Sequence, residues 1–324
     1  MPDKKMRSGV VCIIGRPSAG KSTFLNSVCG ETVSIVSALP QTTRSSVRGI
    51  LTAEQGQIIF LDTPGYHISE KKINRRMQLI AENRLQEAEA ILYLIDAARP
   101  FGEEELAICA LLKNKQDRLI AGINKIDSPA ACPGQTRLNV MQALPDLPQE
   151  RIFELSAQEK TGLEPVLAAL FSLLPEGELL YPEDFYTDQP VDFRIAEIIR
   201  GQAISRLYEE IPHALYVDIQ DMEMKKNGKE LFVRAFLCVE RDSQKAMVIG
   251  KGAAMIKAIR VESQKELKKF FRIEYSLIYR CASIKIGAKK IGCCNPYCRN
   301  STTFENIRRI CVVASLKVYI RVHF

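Results

Sequence analysis

The chain has 324 residues, of which 46% are hydrophobic and 26% are charged, and its formal net charge is +7. The length predicts two domains, and the composition is ordinary for a soluble globular protein. The sequence contains no run of about 18 apolar residues, so we do not expect a membrane span. The apolar run Val10–Ile14 is too short for a secretory signal, so we expect a cytoplasmic protein.

Short β-branched runs alternate with helix-like stretches through residues 1–174. The predicted strands are Val10–Ile14, Val47–Thr52, Ile58–Leu61, Ala90–Ile95, Arg118–Ile123 and Arg151–Leu155. A helix with an apolar face, Gly162–Leu174, is expected to follow them. This rhythm predicts an α/β domain with a mostly parallel six-stranded sheet and helices on both of its faces.

A glycine-rich loop follows the first predicted strand. The motif GRPSAGKS at 15–22 is a complete P-loop, whose backbone N–H groups wrap phosphates at a helix N-terminus. Lys21 is expected to reach the β- and γ-phosphates, and the Ser22 hydroxyl is expected to bind Mg²⁺. The predicted nucleotide contacts here are Gly15, Arg16, Pro17, Ser18, Ala19, Gly20, Lys21, Ser22 and Thr23.

Two later segments are expected to sense the γ-phosphate. In QTTR at 41–44, Thr43, or alternatively Thr42, completes the Mg²⁺ shell when GTP is bound. Asp62 follows the third predicted strand and is expected to hold the metal through water, while the N–H of Gly65 touches the γ-phosphate. The other predicted contacts here are Thr63, Pro64 and Tyr66.

The motif NKID at 124–127 predicts guanine as the base. A carboxylate at Asp127 accepts hydrogen bonds from guanine N1–H and the exocyclic amine, which adenine does not offer. Lys125 is expected to cover the base with its alkyl stem, and Asn124 to brace the loops. Ser156 and Ala157, after the sixth strand, are expected to offer backbone N–H groups to guanine O6.

Four residues, Lys21, Thr43, Asp62 and Gly65, are predicted to act in catalysis. Many GTPases place a glutamine that orients the attacking water just after this glycine, whereas Tyr66 and His67 occupy the place here. Tyr66 does not position the water in the same way; His67 is the alternative, but a lone histidine on a loop is more often incidental, so we expect slow intrinsic conversion of GTP to GDP and phosphate.

Residues 175–190 contain three prolines and several acids, which predicts a linker before a second domain at 191–271. In that domain Phe193–Leu207 and Met255–Phe270 are predicted helices, and His213–Met222 and Leu231–Glu240 are predicted strands. The segment VIGKGAAMIK resembles the GXXG turn of a KH domain, which clamps single-stranded nucleic acid. Its predicted RNA contacts are Ile249, Gly250, Lys251, Gly252, Ala253 and Lys257.

The whole pattern resembles the Era-type GTPases of bacterial ribosome assembly. The resemblance rests on GRPSAGKST, QTTR, DTPGYH, NKID, LLPEG with YPEDFYTDQP, AEIIR, VERDSQK and the VIGKG turn, within residues 8–270. It implies an α+β type II KH domain that binds the 3′ end region of small-subunit ribosomal RNA. It also implies association with the small ribosomal subunit and with the inner membrane at its periphery; we expect a monomer.

The sequence departs from that pattern in its last part, residues 272–324. Ala253 and Arg260 stand where the family usually has glycine, and the expected short final strand is missing after Phe271, with Leu316–Val322 as a substitute. From Phe271 to Phe324 there are ten Lys and Arg against two acids, which favours an anionic partner. Five cysteines lie here without a paired CxxC, so we expect a divergent basic tail rather than a zinc site.

Two other functional classes remain open from the residues. One is an RNA-binding assembly chaperone with a structural nucleotide and negligible turnover. The other is a P-loop kinase or transport ATPase, against which Asp127 argues. The cysteines at 12, 29, 109, 132 and 238 are expected to be buried free thiols of a reducing compartment.

Overall fold

The structure is a computed structural model that describes residues 6–30, 33–34, 47–63, 65–66, 72–207, 211–225, 230–271 and 274–283. The chain divides into two compact units, Met1–Asp188 and Gln189–Phe324. Among the described residues, no helix has both the length and the apolar character needed to cross a membrane.

The first unit is built on a six-stranded sheet with the strand order β2-β3-β1-β4-β5-β6. Its strands are β1 (Arg7–Ile14), β2 (Val47–Ala53), β3 (Gly56–Asp62), β4 (Ala90–Asp96), β5 (Leu119–Asn124) and β6 (Ile152–Glu154). Its helices are α1 (Lys21–Cys29), α2 (Lys72–Glu87), α3 (Glu103–Leu112), α4 (Pro133–Ala143) and α5 (Leu163–Leu173). All six strands predicted for this unit are present, and only β2 runs antiparallel to its neighbour.

Both faces of the sheet are buried, as in other parallel sheets covered by helices. Val11 and Ile13 of β1 point into one core with α1 and α5, whereas Cys12 and Ile14 point into a second core with α2, α3 and α4. The parallel strands end at one edge, where polar residues follow them, and this edge is where ligands bind in such sheets.

Residues 175–188, here called the edge segment, belong to the first unit. Gln57 of β3 is fully buried and holds this segment by its side-chain amide. Its Nε2 donates to the Tyr181 carbonyl oxygen at 3.0 Å, and its Oε1 accepts from the N–H groups of Leu180 at 2.9 Å and Tyr181 at 2.8 Å. The composition predicts a linker at 175–190, but these contacts fix most of it to the sheet.

The far end of the edge segment covers the outer strand, β2. The N–H of Ile50 donates to the Tyr186 carbonyl oxygen at 2.9 Å, and the Thr187 hydroxyl donates to the Arg48 carbonyl oxygen at 2.7 Å. Two backbone groups of this edge strand, the Ile50 N–H and the Arg48 carbonyl, are thereby occupied within the same chain.

The second unit packs its helices on one face of a three-stranded sheet with the order β7-β8-β9. Its elements are α6 (Val191–Ile204), α7 (Ile211–Ala214), β7 (Tyr216–Lys225), β8 (Glu230–Val239), α8 (Asp242–Ile249), α9 (Ala254–Phe271) and β9 (Glu274–Ser283). Alternate residues of β8, such as Leu231, Val233 and Ala235, face a core shared with α6, α8 and α9. This is the α+β KH arrangement that the sequence predicts.

The expectation that the final strand is missing after Phe271 is wrong. β9 occupies Glu274–Ser283 and pairs in parallel with β8 along its whole length, from Glu230 opposite Glu274 to Val239 opposite Ser283. The segment Leu316–Val322, expected as a substitute, lies outside the described residues, as does the cluster of Cys293, Cys294, Cys298 and Cys311.

The five scattered cysteines are free thiols, but they are not all buried. Cys12, Cys109 and Cys238 are buried, Cys29 is half-buried and Cys132 is exposed at the start of α4. The expectation of burial is therefore wrong for Cys132, because the residue lies in the loop before the helix rather than within an apolar run.

Candidate nucleotide site

The P-loop connects β1 to α1 at the carboxyl edge of the sheet. Gly20, the residue before α1, has φ +95°, and Ser18 has φ +63°, so the loop turns through two left-handed positions. A side chain at Gly20 would meet Asn124, because a Cβ there would lie 2.2 Å from Asn124 Nδ2. The glycine therefore permits both the turn and the close approach of the NKID loop.

Lys21 is buried under this loop. Its Nζ donates to the carbonyl oxygens of Gly15 and Arg16, each at 2.9 Å. Burial lowers the pKa of the Lys21 ammonium to about 8, while nearby Asp62 and Glu105 act in the opposite direction. A bound phosphate would supply the negative charge that favours the ammonium form in this place.

A hydroxyl and a carboxylate meet where Mg²⁺ is expected. The Ser22 hydroxyl donates to Asp62 Oδ2 at 2.8 Å, and the hydroxyl of Ser34 donates to the same oxygen at 2.8 Å. Hydroxyl and carboxylate oxygens are ligands that Mg²⁺ prefers, so the donor set fits this ion. Thr42 and Thr43, the candidates for the remaining hydroxyl, lie outside the described residues, whereas Ser34 is a neighbour that the motif spacing did not indicate.

The loop after β3 lies against the P-loop. The Thr63 hydroxyl donates to the Ile13 carbonyl oxygen at 2.7 Å, and the N–H of Tyr66 donates to the Gly15 carbonyl oxygen at 3.1 Å. A Cβ at Gly65 would lie 2.6 Å from the Pro17 Cα, so only glycine allows this approach. Pro64 and His67 lie outside the described residues.

Asn124 connects three loops around the expected position of the base. Its Nδ2 donates to the Ala19 carbonyl oxygen at 2.8 Å, and its Oδ1 accepts from the N–H of Ala157 at 3.0 Å. The Ser156 hydroxyl accepts from the Glu159 N–H at 3.0 Å, which fixes the turn that carries Ala157. One buried amide thus ties the P-loop to the loop after β6.

Lys125 and Asp127 present their side chains differently. Lys125 has φ +67°, and its Nζ donates to Asp96 Oδ2 at 2.8 Å. Asp96 is buried at the end of β4 and was not predicted as a site residue, although a carboxylate directly after a buried strand was a usable signal. Asp127, the last residue of the NKID motif, is exposed, so a base can reach it.

The turn between α8 and α9 exposes its backbone. Gly250, Gly252 and Ala253 have φ +73°, +57° and +60°, and the N–H of Ala253 donates to the Gly250 carbonyl oxygen at 3.1 Å. Lys251, Gly252, Ala253 and Lys257 are exposed, while Ile249 and Gly250 are half-buried. The predicted RNA contacts therefore surround one accessible turn.

Comparisons with known proteins agree with both units. A family model described as "50S ribosome-binding GTPase" matches residues 10–125, and one described as "KH domain" matches residues 210–291. GTPase Era of Treponema denticola is 60% identical over 272 residues, covering 84% of this chain and 92% of the relative. GTPase Era of Treponema pallidum (strain Nichols) is 48% identical over 292 residues, covering 85% and 92%.

The chain belongs to the Era GTPase family.

Two solved Era structures share the fold of this Era GTPase. A variant of Aquifex aeolicus Era bound to GDP and AlF4⁻ has a TM-score of 0.82 at 29% identity, with 94% of this chain and 99% of that chain covered. Era in complex with MgGDPNP and nucleotides 1506–1542 of 16S ribosomal RNA has a TM-score of 0.81 at 30% identity and the same coverage. As an Era GTPase, the chain converts GTP to GDP and phosphate.

Proposed function

We propose that this chain is a slowly hydrolysing GTP switch that binds small-subunit ribosomal RNA through its KH unit and assists assembly of the small ribosomal subunit. The observation that carries the proposal is that one chain contains both a P-loop, Asp62 and an NKID loop gathered at the carboxyl edge of one sheet and an exposed glycine turn in its KH unit. The 16S ribosomal RNA complex of the Era relative supports the RNA as partner.

The nucleotide chemistry follows from the positions of the chain's own residues. The P-loop N–H groups and Lys21 bind the phosphates, and Ser22 and Asp62 hold the Mg²⁺ that neutralises charge on the transferring phosphoryl group. Asp127 selects guanine, because another base leaves its carboxylate without donors. Gly65, pressed against Pro17, brings the loop after β3 close to the phosphates.

The slow rate follows from what stands after Gly65. Tyr66 is half-buried and its N–H is bonded to Gly15, and its side chain has no amide with which to orient a water. We propose that a partner or an ordering step of the switch loops supplies this function. Slow hydrolysis that depends on a partner suits a protein whose release from RNA is coupled to GTP hydrolysis.

The RNA side follows from charge and shape. Lys251 and Lys257 are exposed beside the turn, and the basic excess after Phe271 adds positive charge to the same half of the chain. Cations beside an exposed backbone turn bind the phosphates of a single strand, and the neighbouring apolar side chains contact its bases.

Single-turnover GTP cleavage, with and without purified small subunits, tests the switch. We expect slow cleavage by the protein alone and faster cleavage with subunits, with Lys21→Met as the inactive control. Turnover of tens per second by the protein alone would contradict the proposal. Undetectable cleavage under both conditions would favour the alternative, an RNA chaperone with a structural nucleotide.

Crosslinking and sequencing of the bound RNA, with the protein held by a non-hydrolysable GTP analogue, tests the partner. We expect reads concentrated in the 3′ end region of small-subunit ribosomal RNA. A cytoplasmic location, peripheral inner-membrane association and a monomeric state are further parts of the proposal, which cell fractionation and light scattering test.

A further inference from the structure

Three polar side chains are buried together beneath the P-loop, on the face of the sheet that α3 covers. They are Arg16 of the P-loop, Glu105 of α3 and Tyr93 of β4, with exposed fractions of 5%, 0% and 0%. Arg16 Nε lies 3.1 Å from Glu105 Oε1, and the Tyr93 hydroxyl donates to Glu105 Oε2. Arg16 Nη1 also donates to the Pro100 carbonyl oxygen at 3.2 Å.

We infer that Glu105 is a positioning residue for the GTPase reaction, which holds the P-loop through Arg16 in its phosphate-binding conformation. Glu105 is far from Arg16 in sequence and belongs to none of the nucleotide motifs. It acts on the phosphates only through the loop that it anchors.

The P-loop needs such an anchor because its own conformation is strained. Ser18 is a non-glycine residue at φ +63°, a region that costs free energy unless the surroundings enforce it. The Arg16 carbonyl oxygen is one of the two acceptors that hold the Lys21 ammonium. A displacement of Arg16 therefore moves both the loop and the acceptor of the phosphate-binding lysine.

The chemistry of arginine makes the dependence on Glu105 strong. The guanidinium does not lose its proton in proteins, so burial of Arg16 requires a compensating anion. Without the Glu105 carboxylate, Arg16 must leave its position to reach water or another acceptor. A charge left alone in a buried site costs more than removal of both partners, so the two residues should be coupled.

A purely structural role for Glu105 makes a different prediction. Loss of a buried ion pair that only stabilises the fold would lower the fraction of correctly folded protein. The folded fraction would then bind nucleotide with unchanged affinity. Counting active sites and measuring the dissociation constant separately distinguishes the two cases.

The experiment uses the full chain and fluorescent GDP and GTP. Glu105→Gln keeps the size and the acceptor for Tyr93 but removes the charge, and Glu103→Gln, on the exposed start of the same helix, is the matched control. We expect Glu105→Gln to bind one nucleotide per chain with a Kd raised at least about tenfold for both nucleotides. Its KM should rise in parallel, while kcat changes less than about threefold.

The partner variants keep the test decisive if Glu105→Gln folds poorly. Arg16→Met/Glu105→Gln removes both charges and should bind more tightly than Glu105→Gln alone. Tyr93→Phe, which removes the hydroxyl that orients Glu105, should raise Kd by a smaller factor. A Kd within about twofold of the Glu103→Gln control, fewer sites at unchanged Kd, or a double variant no better than Glu105→Gln would overturn the inference.

Discussion

Arg48 Nη1 donates to Asp188 Oδ2 at 2.8 Å, although the two residues are 140 positions apart in sequence. Arg48 is the second residue of β2, the strand that follows the QTTR loop, and Asp188 is the last residue of the first unit. The Tyr181 hydroxyl donates to the same carboxylate oxygen at 3.0 Å. The edge segment is thus held at its end by Asp188 and in its middle by Gln57.

These two attachments of the edge segment should contribute unequally to the free energy of unfolding. Arg48 and Asp188 are partly exposed, so Arg48→Met should cost about 1 kcal/mol or less. Gln57→Ala removes a fully buried side chain and its three hydrogen bonds to the backbone of residues 180–181, and should cost about 2 kcal/mol. Hydrogen exchange should show faster exchange of the Leu180 and Tyr181 amides in Gln57→Ala than in the exposed-site control Gln55→Ala; equal exchange in both variants would contradict this assignment.

Guanine selectivity should depend on Asp127. Asp127→Asn replaces an acceptor of two guanine donors with an amide, so GTP affinity should fall by roughly 10- to 100-fold, in keeping with about 1–3 kcal/mol for unpaired polar groups. The affinity for xanthosine triphosphate should rise, since xanthine offers a carbonyl in place of the amine. Competition binding measures both changes, with the exposed, distant Asp117→Asn as control. Unchanged GTP affinity would exclude Asp127 as the base contact.

Charge at the KH turn should control RNA binding separately from GTP binding. A Cβ at Gly252 meets nothing within 4 Å, and its φ of +57° suits both Asp and Asn. Gly252→Asp should weaken binding of a single-stranded RNA about tenfold more than Gly252→Asn, with the difference shrinking at high salt. Gly250 is a poorer probe because a Cβ there would lie 2.8 Å from Met255 Cβ. Equal RNA affinity of the two Gly252 variants would argue against phosphate contacts at this turn.

Ala253 should be a site where glycine stabilises the protein. Its φ of +60° confirms that the fourth residue of the turn adopts the conformation that favours glycine. Ala253→Gly should raise the free energy of unfolding of the second unit by up to about 1 kcal/mol. The neighbouring Ala254 begins α9 at φ −64°, so Ala254→Gly should lower it by a similar amount. Urea unfolding followed by a probe in the second unit compares the two; the same sign for both variants would refute this reading.

Ionisation of three largely buried thiols should lower the free energy of unfolding at high pH. Burial raises the pKa of Cys12, Cys29 and Cys109 from 9.0 to about 12. Because the folded-state pKa lies above the unfolded value, these thiols stabilise the fold fully below about pH 9 and lose that contribution as pH rises toward 12.

At pH 8.5, iodoacetamide should alkylate the exposed Cys132 well before the other three, as peptide mass mapping would show. Equal labelling of Cys12 and Cys132 would contradict the burial of Cys12.

The sequence was sufficient for the features that depend on local pattern. The β-branched runs, the P-loop at the end of β1 and the glycine turn before α9 are encoded within a few residues each. β9 was missed because the family motifs fade after Phe271, although YSLIY at 275–279 contains a usable β-rich signal. A strand needs only a suitable face toward β8, and such a face does not require a recognisable motif.

Side-chain partners distant in sequence could not be predicted in the same way. Gln57 looks like an ordinary polar residue at a strand start, and Glu105 looks like one of three acids at a helix N-terminus. Their roles depend on which segment packs against them, and that is decided by the folded sheet. For the same reason Ser34 was found beside Asp62 only once the loops were placed together.

The edge segment also has a consequence for how the protein is made. On a ribosome the strands β1 to β6 and the P-loop emerge before residues 180–188, so Gln57 of β3 is synthesised 124 residues ahead of the Tyr181 backbone that it binds. At synthesis rates of about 5–20 residues per second, the two are separated by roughly 6–25 seconds, during which the sheet edge lacks its cover. During this interval the nascent chain carries an open β-strand, and completion of the GTPase unit coincides with the start of synthesis of the RNA-binding one.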